Sequence, residues 1–165
     1  MSNIEVIDNF LDNKIFDKIK DTFLNKRFPW YYSPGITSDN DMIKDFIFNH
    51  IFFHSDEVLS HYFYNLIMPI IGNLKFNFLY RVKANAYPKK ENHIYHDFHL
   101  DECSSKHYVA LYSINTNNGY TELENNKKIE SIENRLVLFN GDIKHRSVTQ
   151  TDTDLRINVN LNLII

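Results

Sequence analysis

Two stretches in the second half of the chain alternate between two kinds of residue. The first runs from Phe76 to Tyr87 and the second from Leu155 to Ile165. Because successive side chains of a β-strand point to opposite faces, both stretches are predicted strands. Their apolar faces comprise Phe76, Phe78, Tyr80, Val82, Ala84 and Ala86, and Ile157, Val159, Leu161 and Leu163. Their opposite faces carry Asn77, Leu79, Arg81, Lys83, Asn85 and Tyr87, and Arg156, Asn158, Asn160 and Asn162.

The first third of the chain has a helical period instead. Apolar residues recur at four-residue steps, at Leu11, Ile15, Ile19 and Phe23. This spacing predicts one helix that ends before the segment 28–32. A second helix is predicted to begin at Ser55, a good N-cap, and to run through Ile71 to Gly72. A short helix is predicted between them, near Met42 to Phe48.

Helices followed by strands indicate the α+β class, or a barrel or sandwich with helices on its outside. Further strands are predicted near 107–115 and 135–139, with a turn at Asn118-Gly119. The length of 165 residues fits a single domain, 1–165, with a mainly helical cover over 1–72 and a β core over 73–165. The polar strand faces allow two interpretations: a sheet with one wet side, or the inside of a barrel that holds a polar ligand.

Composition narrows the function classes. The net charge is −3, so no basic surplus exists to neutralise a phosphate backbone, and we expect no nucleic-acid partner. The single cysteine, Cys103, excludes an intrachain disulfide and fits a reducing compartment. The first ten residues include Glu5 and Asp8 without an apolar run, so we expect neither a signal peptide nor a membrane anchor.

Candidate metal ligands occur among the eight histidines. In the tripeptide His99-Leu100-Asp101, an extended backbone would direct the imidazole and the carboxylate to the same side. With His145 as a third ligand, these residues would form the two-histidine, one-carboxylate set of non-haem Fe(II) oxygenases, which leaves three metal positions open. A second His-x-Asp occurs at His54-Ser55-Asp56. We interpret that one as the start of a helix.

Arg156 lies eleven residues after His145, near the start of a strand without other charges. An Fe(II) oxygenase that uses 2-oxoglutarate needs a cation for the distal carboxylate of that cosubstrate, and arginine can pair with it through two hydrogen bonds. The alternative for Arg156 is a surface charge at a strand edge.

In this order and spacing, His99-Leu100-Asp101, His145 and Arg156 resemble the 2-oxoglutarate/Fe(II)-dependent dioxygenase superfamily. The chain is most similar to the prolyl-hydroxylase-like branch and its small phage-encoded members. The supporting stretches are Ile7–Leu11, Phe28–Tyr32, Ala86–Pro88, Ala110–Thr121, Asn134–Phe139 and Thr151–Asn162. The resemblance implies a double-stranded β-helix, or jelly roll, with the N-terminal helices packed on its outside.

The resemblance also assigns roles to residues. It implies that His99, Asp101 and His145 bind Fe(II) and that Arg156 binds the C5 carboxylate of 2-oxoglutarate. Tyr87 corresponds to a tyrosine that often faces the cosubstrate. Relatives often have two tyrosines where this chain has Tyr112-Ser113. Ser113 is too short to replace the second one, so water or another side chain must compensate.

Further pocket residues are expected on the same strand faces. We place Asn158 and Ser113 beside the cosubstrate, and Arg81 and Asn85 toward the substrate. A solvated face is the alternative for Arg81 and Asn85. The polar stretch from Lys89 to Phe98 could serve as a mobile lid.

The expected activity is hydroxylation of a C–H bond in a peptide, protein or small molecule, with release of succinate and CO2. Fe(II), 2-oxoglutarate and O2 are the implied cofactor and cosubstrates. The alternative is a non-enzymatic jelly-roll module that binds a metal or ligand. A nucleic-acid demethylase is disfavoured by the acidic charge balance. A cytoplasmic location is expected, in a bacterial host if the chain is phage-encoded. Substrate and oligomeric state stay open.

Overall fold

The computed structural model describes residues 4–36, 45–103 and 105–165. Three short strands and a longer one accompany the helices of the first part of the chain: β1 (Glu5–Ile7), α1 (Asn13–Phe23), β2 (Tyr31–Ser33), β3 (Ile47–His54), β4 (Glu57–Val58), a π-helical turn (Phe63–Ile67) and α2 (Met68–Ile71). Seven strands follow: β5 (Phe78–Pro88), β6 (His107–Ser113), β7 (Tyr120–Leu123), β8 (Lys128–Glu130), β9 (Arg135–Asn140), β10 (His145–Val148) and β11 (Leu155–Ile164).

Helix α1 forms where the four-residue spacing predicts it. The Asp12 carboxylate accepts a hydrogen bond from the backbone N–H of Lys14 at 2.9 Å and caps the helix. Phe16, Ile19 and Phe23 are buried on one side of the helix. Burial of each such side chain stabilises the fold by roughly 1.5–3 kcal/mol, so this face attaches α1 to the core.

The predicted helix from Ser55 is wrong in its first half. Ser55 and Asp56 have φ values of 49° and 67° and form the two-residue turn between β3 and β4. Positive φ at both positions suits a hairpin turn, because such a turn matches the twist of the flanking strands. The helical stretch begins only at Phe63.

The first 72 residues are therefore less helical than expected, since the described part includes four strands. The short helix predicted near Met42 to Phe48 lies mostly outside the described residues. Its described end, Ile47–Phe48, belongs to strand β3.

Eight strands form the major sheet, in the order β1-β9-β6-β11-β5-β3-β2, with β4 also paired to β3. Neighbouring strands are antiparallel. The long strands β5 and β11 lie side by side near its centre. Their register pairs Arg156 with Tyr87, Asn158 with Asn85, Asn160 with Lys83 and Asn162 with Arg81. The polar faces predicted for the two strands thus form one continuous surface.

Strands β10, β7 and β8 form a second, minor sheet. It packs on part of the major sheet through a small apolar cluster that comprises Val109, Leu123, Ile129, Val137, Phe139 and Ile143. The larger core lies on the other face of the major sheet. There the apolar positions of β5 and β11, such as Val82 and Val159, pack with residues of α1 and α2. This confirms the jelly-roll prediction and directs the polar faces of β5 and β11 into the space between the sheets.

Within the described ranges, 4–36, 45–103 and 105–165, no helix has the length and apolar character needed to cross a membrane.

Candidate metal centre and cosubstrate pocket

Two histidines meet at the edge of the minor sheet. The segment before β6 runs antiparallel to β10, and His99 and His145 exchange backbone hydrogen bonds of 3.0 Å in both directions. Their imidazole rings are consequently neighbours, with centroids 4.6 Å apart. A single backbone pairing thus brings together two side chains that are 46 positions apart in the sequence.

Asp101 completes the cluster. Its Oδ1 lies 3.9 Å from Nε2 of His145. One potential ligand atom from each of His99, Asp101 and His145 lies within 4.8 Å of the others. One metal ion can therefore contact all three side chains. Two imidazoles and one carboxylate are the donor set expected for non-haem Fe(II) with open positions.

The Asp101 carboxylate is held by three donors from the major sheet. Arg81 donates to Oδ1 at 3.2 Å, and the amides of Asn160 and Asn162 donate to Oδ2 at 3.1 and 2.7 Å. Burial by itself would raise the pKa of Asp101. The charges of His145 and Arg81 and the two amide hydrogen bonds outweigh burial and lower this pKa. The carboxylate is thus kept anionic, as a metal ligand must be.

Arg81 was predicted to face the substrate. In the structure its guanidinium contacts Asp101 and also donates from Nε to Oδ1 of Asn162 at 3.0 Å. Arg81 is not among the residues that line the cavity. These contacts favour a positioning role behind Asp101 over direct contact with a substrate.

The protonation of His99 also suits metal binding. Burial lowers the pKa of His99, and the nearby His145 lowers it further. Its Nδ1 lies 3.3 Å from the carbonyl oxygen of Asp97. A neutral imidazole with one nitrogen engaged by a carbonyl leaves the other nitrogen available to a metal.

Arg156 is buried beside the cavity, with 2% of its surface exposed, and contacts the lining residues Tyr87 and Thr121. Its Nε donates to Ser131 Oγ at 2.8 Å and one terminal nitrogen donates to Thr121 Oγ1 at 3.0 Å. The guanidinium lies 5.0 Å from the ring centroid of Tyr87. Its other terminal nitrogen, Nη1, is fully buried and has no hydrogen-bond partner in the part of the chain that the structure describes.

No carboxylate among the described residues forms an ion pair with Arg156. Burial lowers the pKa of Arg156, which reflects the cost of removing its charge from water. A buried cation is stable when an anion compensates it. A carboxylate ligand could pair with Nη1, and the role that the resemblance implies for Arg156 stays a prediction.

Gly119 gives Arg156 the room that it occupies. A Cβ atom at position 119 would lie 2.8 Å from Arg156 Cδ and 3.0 Å from both Asn117 Oδ1 and the backbone nitrogen of Gln150. Asn118 and Gly119 do not form the predicted hairpin turn, because the chain only bends at Asn118 and enters β7 of the minor sheet at Tyr120. Gly119 instead allows the minor sheet to approach the Arg156 side chain closely.

Three other predicted residues line the cavity: Tyr87, Asn85 and Asn158. The Asn85 amide donates to Oδ1 of Asn158 at 3.2 Å, while its own Oδ1 is buried without a partner. Ser113 is paired with Asn158 in the register of β6 and β11 but is not among the lining residues. Leu111, two positions earlier in β6, lines the cavity instead.

The segment expected to act as a lid is attached to the minor sheet. The Ile94 N–H donates to Thr149 Oγ1 at 2.8 Å, and the Thr149 N–H donates to the Ile94 carbonyl oxygen at 3.1 Å. The His96 N–H donates to the Ser147 carbonyl oxygen at 3.1 Å. His96 is fully buried and bonds to Asp45, which also pairs with Lys90. The segment 89–98 thus extends the wall of the cavity, and these contacts do not suit a freely moving lid.

Several pocket residues were not predicted. Lys83 and Asn160 line the cavity, and Asn160 and Asn162 hold Asp101. They lie on the alternating faces of β5 and β11, so the same pattern could have identified them. Thr121 and Ser131, which orient Arg156, come from the minor sheet or just after it. Nothing in their sequence surroundings distinguishes them.

No family model matches the sequence, and no curated protein matches it. Solved structures with a similar fold were found. An oxidoreductase of the 2OG-Fe(II) oxygenase family from Burkholderia pseudomallei superposes with a TM-score of 0.70 at 13% identity, covering 96% of this chain and 84% of that one. The chain has the fold of the 2-oxoglutarate/Fe(II) oxygenases.

Two prolyl hydroxylases have the same fold. The Trichoplax adhaerens enzyme, solved with a peptide fragment of the hypoxia inducible factor oxygen degradation domain, has a TM-score of 0.63 at 19% identity and covers 98% of this chain and 83% of its own. A prolyl-4-hydroxylase from Pseudomonas putida has a TM-score of 0.61 at 12% identity, with 100% and 94% covered. The alpha-ketoglutarate-dependent epimerase SnoN is also similar, with a TM-score of 0.67 at 9% identity and 99% and 79% covered.

Proposed function

We propose that this protein is a 2-oxoglutarate-dependent dioxygenase that uses Fe(II) and O2. His99, Asp101 and His145 would hold the metal, and Arg156 would hold the distal carboxylate of 2-oxoglutarate. The metal with its cosubstrates supplies an oxidant for a C–H bond, with release of succinate and CO2. The fold and the cluster of three ligands support this assignment.

Arg156 is the observation that carries the proposal. A metal site that only stabilised the fold would not need, beside its cavity, a buried guanidinium with a nitrogen that no described residue pairs with. A dicarboxylate that is bound at one end by the metal needs a cation at the other end, and a guanidinium pairs with carboxylate geometry better than an ammonium does. This argues against the alternative of a non-enzymatic jelly-roll module.

The protein's own residues prepare this reaction before any ligand arrives. Arg81, Asn160 and Asn162 fix Asp101, so that the metal ligands are oriented in advance. Thr121 and Ser131 orient Arg156 through their hydroxyl groups. Tyr87, Asn158 and Asn85 line the cavity between these two groups and would contact the cosubstrate or the substrate.

Hydroxylation is the outcome that we propose, on a residue of a peptide or protein or on a small molecule. The Trichoplax adhaerens neighbour was solved with a peptide fragment, which supports a peptide substrate. The epimerase among the neighbours shows that this fold also supports another reaction. A cytoplasmic location is consistent with the single cysteine of the chain.

The experiment that tests the proposal measures succinate formed from 2-oxoglutarate by the Fe(II)-loaded protein in air. Asp101→Ala removes the only anionic ligand, so succinate formation should fall to the protein-free background and iron retention should weaken. His54→Ala, at the exposed end of β3, should leave both unchanged. Equal loss in the two variants would show that the wrong His-x-Asp motif had been assigned.

A further inference from the structure

Lys83 is a cavity residue to which neither the sequence analysis nor the proposed function gives a role. It lies in β5 between Arg81 and Asn85 on the polar face of the strand. It lines the cavity together with the metal-ligand candidates His99 and Asp101. It lies opposite Asn160 in β11, whose amide donates to Asp101.

The Lys83 ammonium lacks a partner among residues 4–36, 45–103 and 105–165. Within the part of the chain that the structure describes, no carboxylate lies within 4.0 Å of it and it makes no hydrogen bond. Lys20 and Lys90, by contrast, are both paired with carboxylates. The nearby Asp101 is already engaged by Arg81 and two amides. Among the described residues the charge of Lys83 is thus uncompensated, and an external anion would compensate it.

The pKa of Lys83 is consistent with an ammonium that lacks a partner among the described residues. Burial lowers the pKa of Lys83, and the charge of Arg81 lowers it further. Asp101 and Glu102 act in the opposite direction without restoring the pKa. The pKa of Lys83 is thus lowered mainly by burial, with the charge of Arg81 as the next cause.

Arg156 and Lys83 extend from different rows of the major sheet. Arg156 pairs with Tyr87 across the sheet, and Lys83 lies four residues from Tyr87 along β5. At a rise of about 3.3 Å per residue, the two rows are roughly 13 Å apart. Lys83 therefore supplies a second cation, separate from Arg156, on the part of the polar face that borders the metal-ligand candidates.

We propose that Lys83 is a second carboxylate-binding residue, which pairs with an anion at the metal end of the cavity. This inference rests on the proposed function. The carboxylate has two possible sources: the C1 carboxylate of 2-oxoglutarate, or a carboxylate of the substrate next to the hydrogen that is removed. In the second case the substrate would be an acidic molecule or a peptide with an acidic group.

The test uses the full chain loaded with Mn(II) in place of Fe(II). The first measurement is the 2-oxoglutarate dissociation constant by calorimetry. The second is the Mn(II)-induced relaxation of the methyl protons of acetate, with 2-oxoglutarate saturating, which reports a carboxylate probe close to the metal. Wild type, Lys83→Met and Lys83→Arg are compared, with the exposed Lys127→Met as control. Lys83→Arg keeps the charge and should retain most of the binding.

If the anion is the C1 carboxylate, Lys83→Met should weaken 2-oxoglutarate binding by about tenfold or more. If it belongs to the substrate, 2-oxoglutarate binding should be unchanged and the acetate relaxation should be lost in Lys83→Met alone. Lys83→Met that matches wild type in both measurements would overturn the inference. Failure of wild type to bind Mn(II) and 2-oxoglutarate would instead contradict the proposed function.

Discussion

Asp101 and Arg156 are both buried charges, but the protein surrounds them differently. Asp101 receives a guanidinium and two amides, which compensate its negative charge. Among the described residues, Arg156 contacts two hydroxyl groups and an aromatic face, and one of its nitrogens has no partner there. Asp101 can therefore share a metal cation with His99 and His145, whereas Arg156 can bind an anionic ligand.

The contact of Gly119 with Arg156 leads to a prediction about cosubstrate binding. Gly119→Ala places a methyl group 2.8 Å from Arg156 Cδ, so the guanidinium must move. Displacement of the guanidinium should weaken 2-oxoglutarate binding by about tenfold to a hundredfold and should leave metal affinity unchanged. Calorimetric titration of the metal-loaded protein measures both.

Gly72→Ala is the matched control, because its Cβ would meet only the Met68 carbonyl oxygen, at 3.1 Å, at the end of α2. It should leave 2-oxoglutarate binding unchanged. Unaltered binding in Gly119→Ala would mean that the position of Arg156 does not govern the cosubstrate site.

Asn162 should control metal affinity although it is not a ligand. Its amide donates to Asp101 at 2.7 Å and its carbonyl accepts from Arg81, and the side chain is fully buried. Asn162→Leu keeps the volume and removes both contacts, so Fe(II) affinity should fall by about tenfold to a hundredfold. Competition with a chelator measures this affinity. Asn85→Leu, a buried amide of the same cavity without contact to Asp101, should change it by less than about threefold.

Strands β5 and β11 could be predicted from the sequence because one face of each is buried in a core and the other faces a polar cavity. A single-residue shift would expose every apolar side chain, so the alternation in the sequence is strong. The segment after His54 has no such constraint. Ser55 and Asp56 are common both at helix N-termini and in tight turns, and only the pairing of β4 with β3 decides between these structures.

The metal ligands and Arg156 could be proposed from motif order, whereas the residues that orient them could not. Thr121 and Ser131 reach Arg156 across 35 and 25 positions of the chain. Their contacts depend on how the minor sheet packs on the major one, and local sequence does not encode this. The contacts of Asn134 also depend on tertiary packing that the local sequence does not encode.

Asn134 connects the start of α1 to the sheet. It accepts hydrogen bonds from the Leu11 N–H and the Tyr112 hydroxyl, and its amide donates to the Leu11 carbonyl oxygen, at 2.8–2.9 Å. Asn134→Ala should lower the free energy of unfolding by about 2–4 kcal/mol, because three buried hydrogen bonds are lost. Urea unfolding measures the change.

Asn134 also has a positive φ of 55°, which an alanine tolerates poorly. Asn126 has a φ of 63° in an exposed turn and makes no side-chain hydrogen bond there. Asn126→Ala therefore measures the backbone contribution alone, about 1–2 kcal/mol or less. An equal loss in both variants would show that the hydrogen bonds of Asn134 contribute nothing.

The whole molecule places its chemistry between two sheets of unequal size. The major sheet supplies Arg156 and the groups that fix Asp101, and the minor sheet supplies His145 and the hydroxyl of Thr121. The helices pack on the opposite face of the major sheet and take no part in the cavity. Ligands that bind at both ends of the cavity contact both sheets, so binding depends on the relative position of the sheets.

The most direct test of the account is an anaerobic titration of the Fe(II)-loaded protein with 2-oxoglutarate. Wild type should bind one equivalent per iron. In Arg156→Ala the dissociation constant should rise by roughly thirtyfold to several thousandfold, since truncating one partner of a buried charged pair costs about 2–5 kcal/mol. Arg156→Lys should lie between the two, because it keeps the charge and loses the paired geometry, and both variants should retain iron. Equal affinity in wild type and Arg156→Ala, or no binding in wild type, would contradict the account.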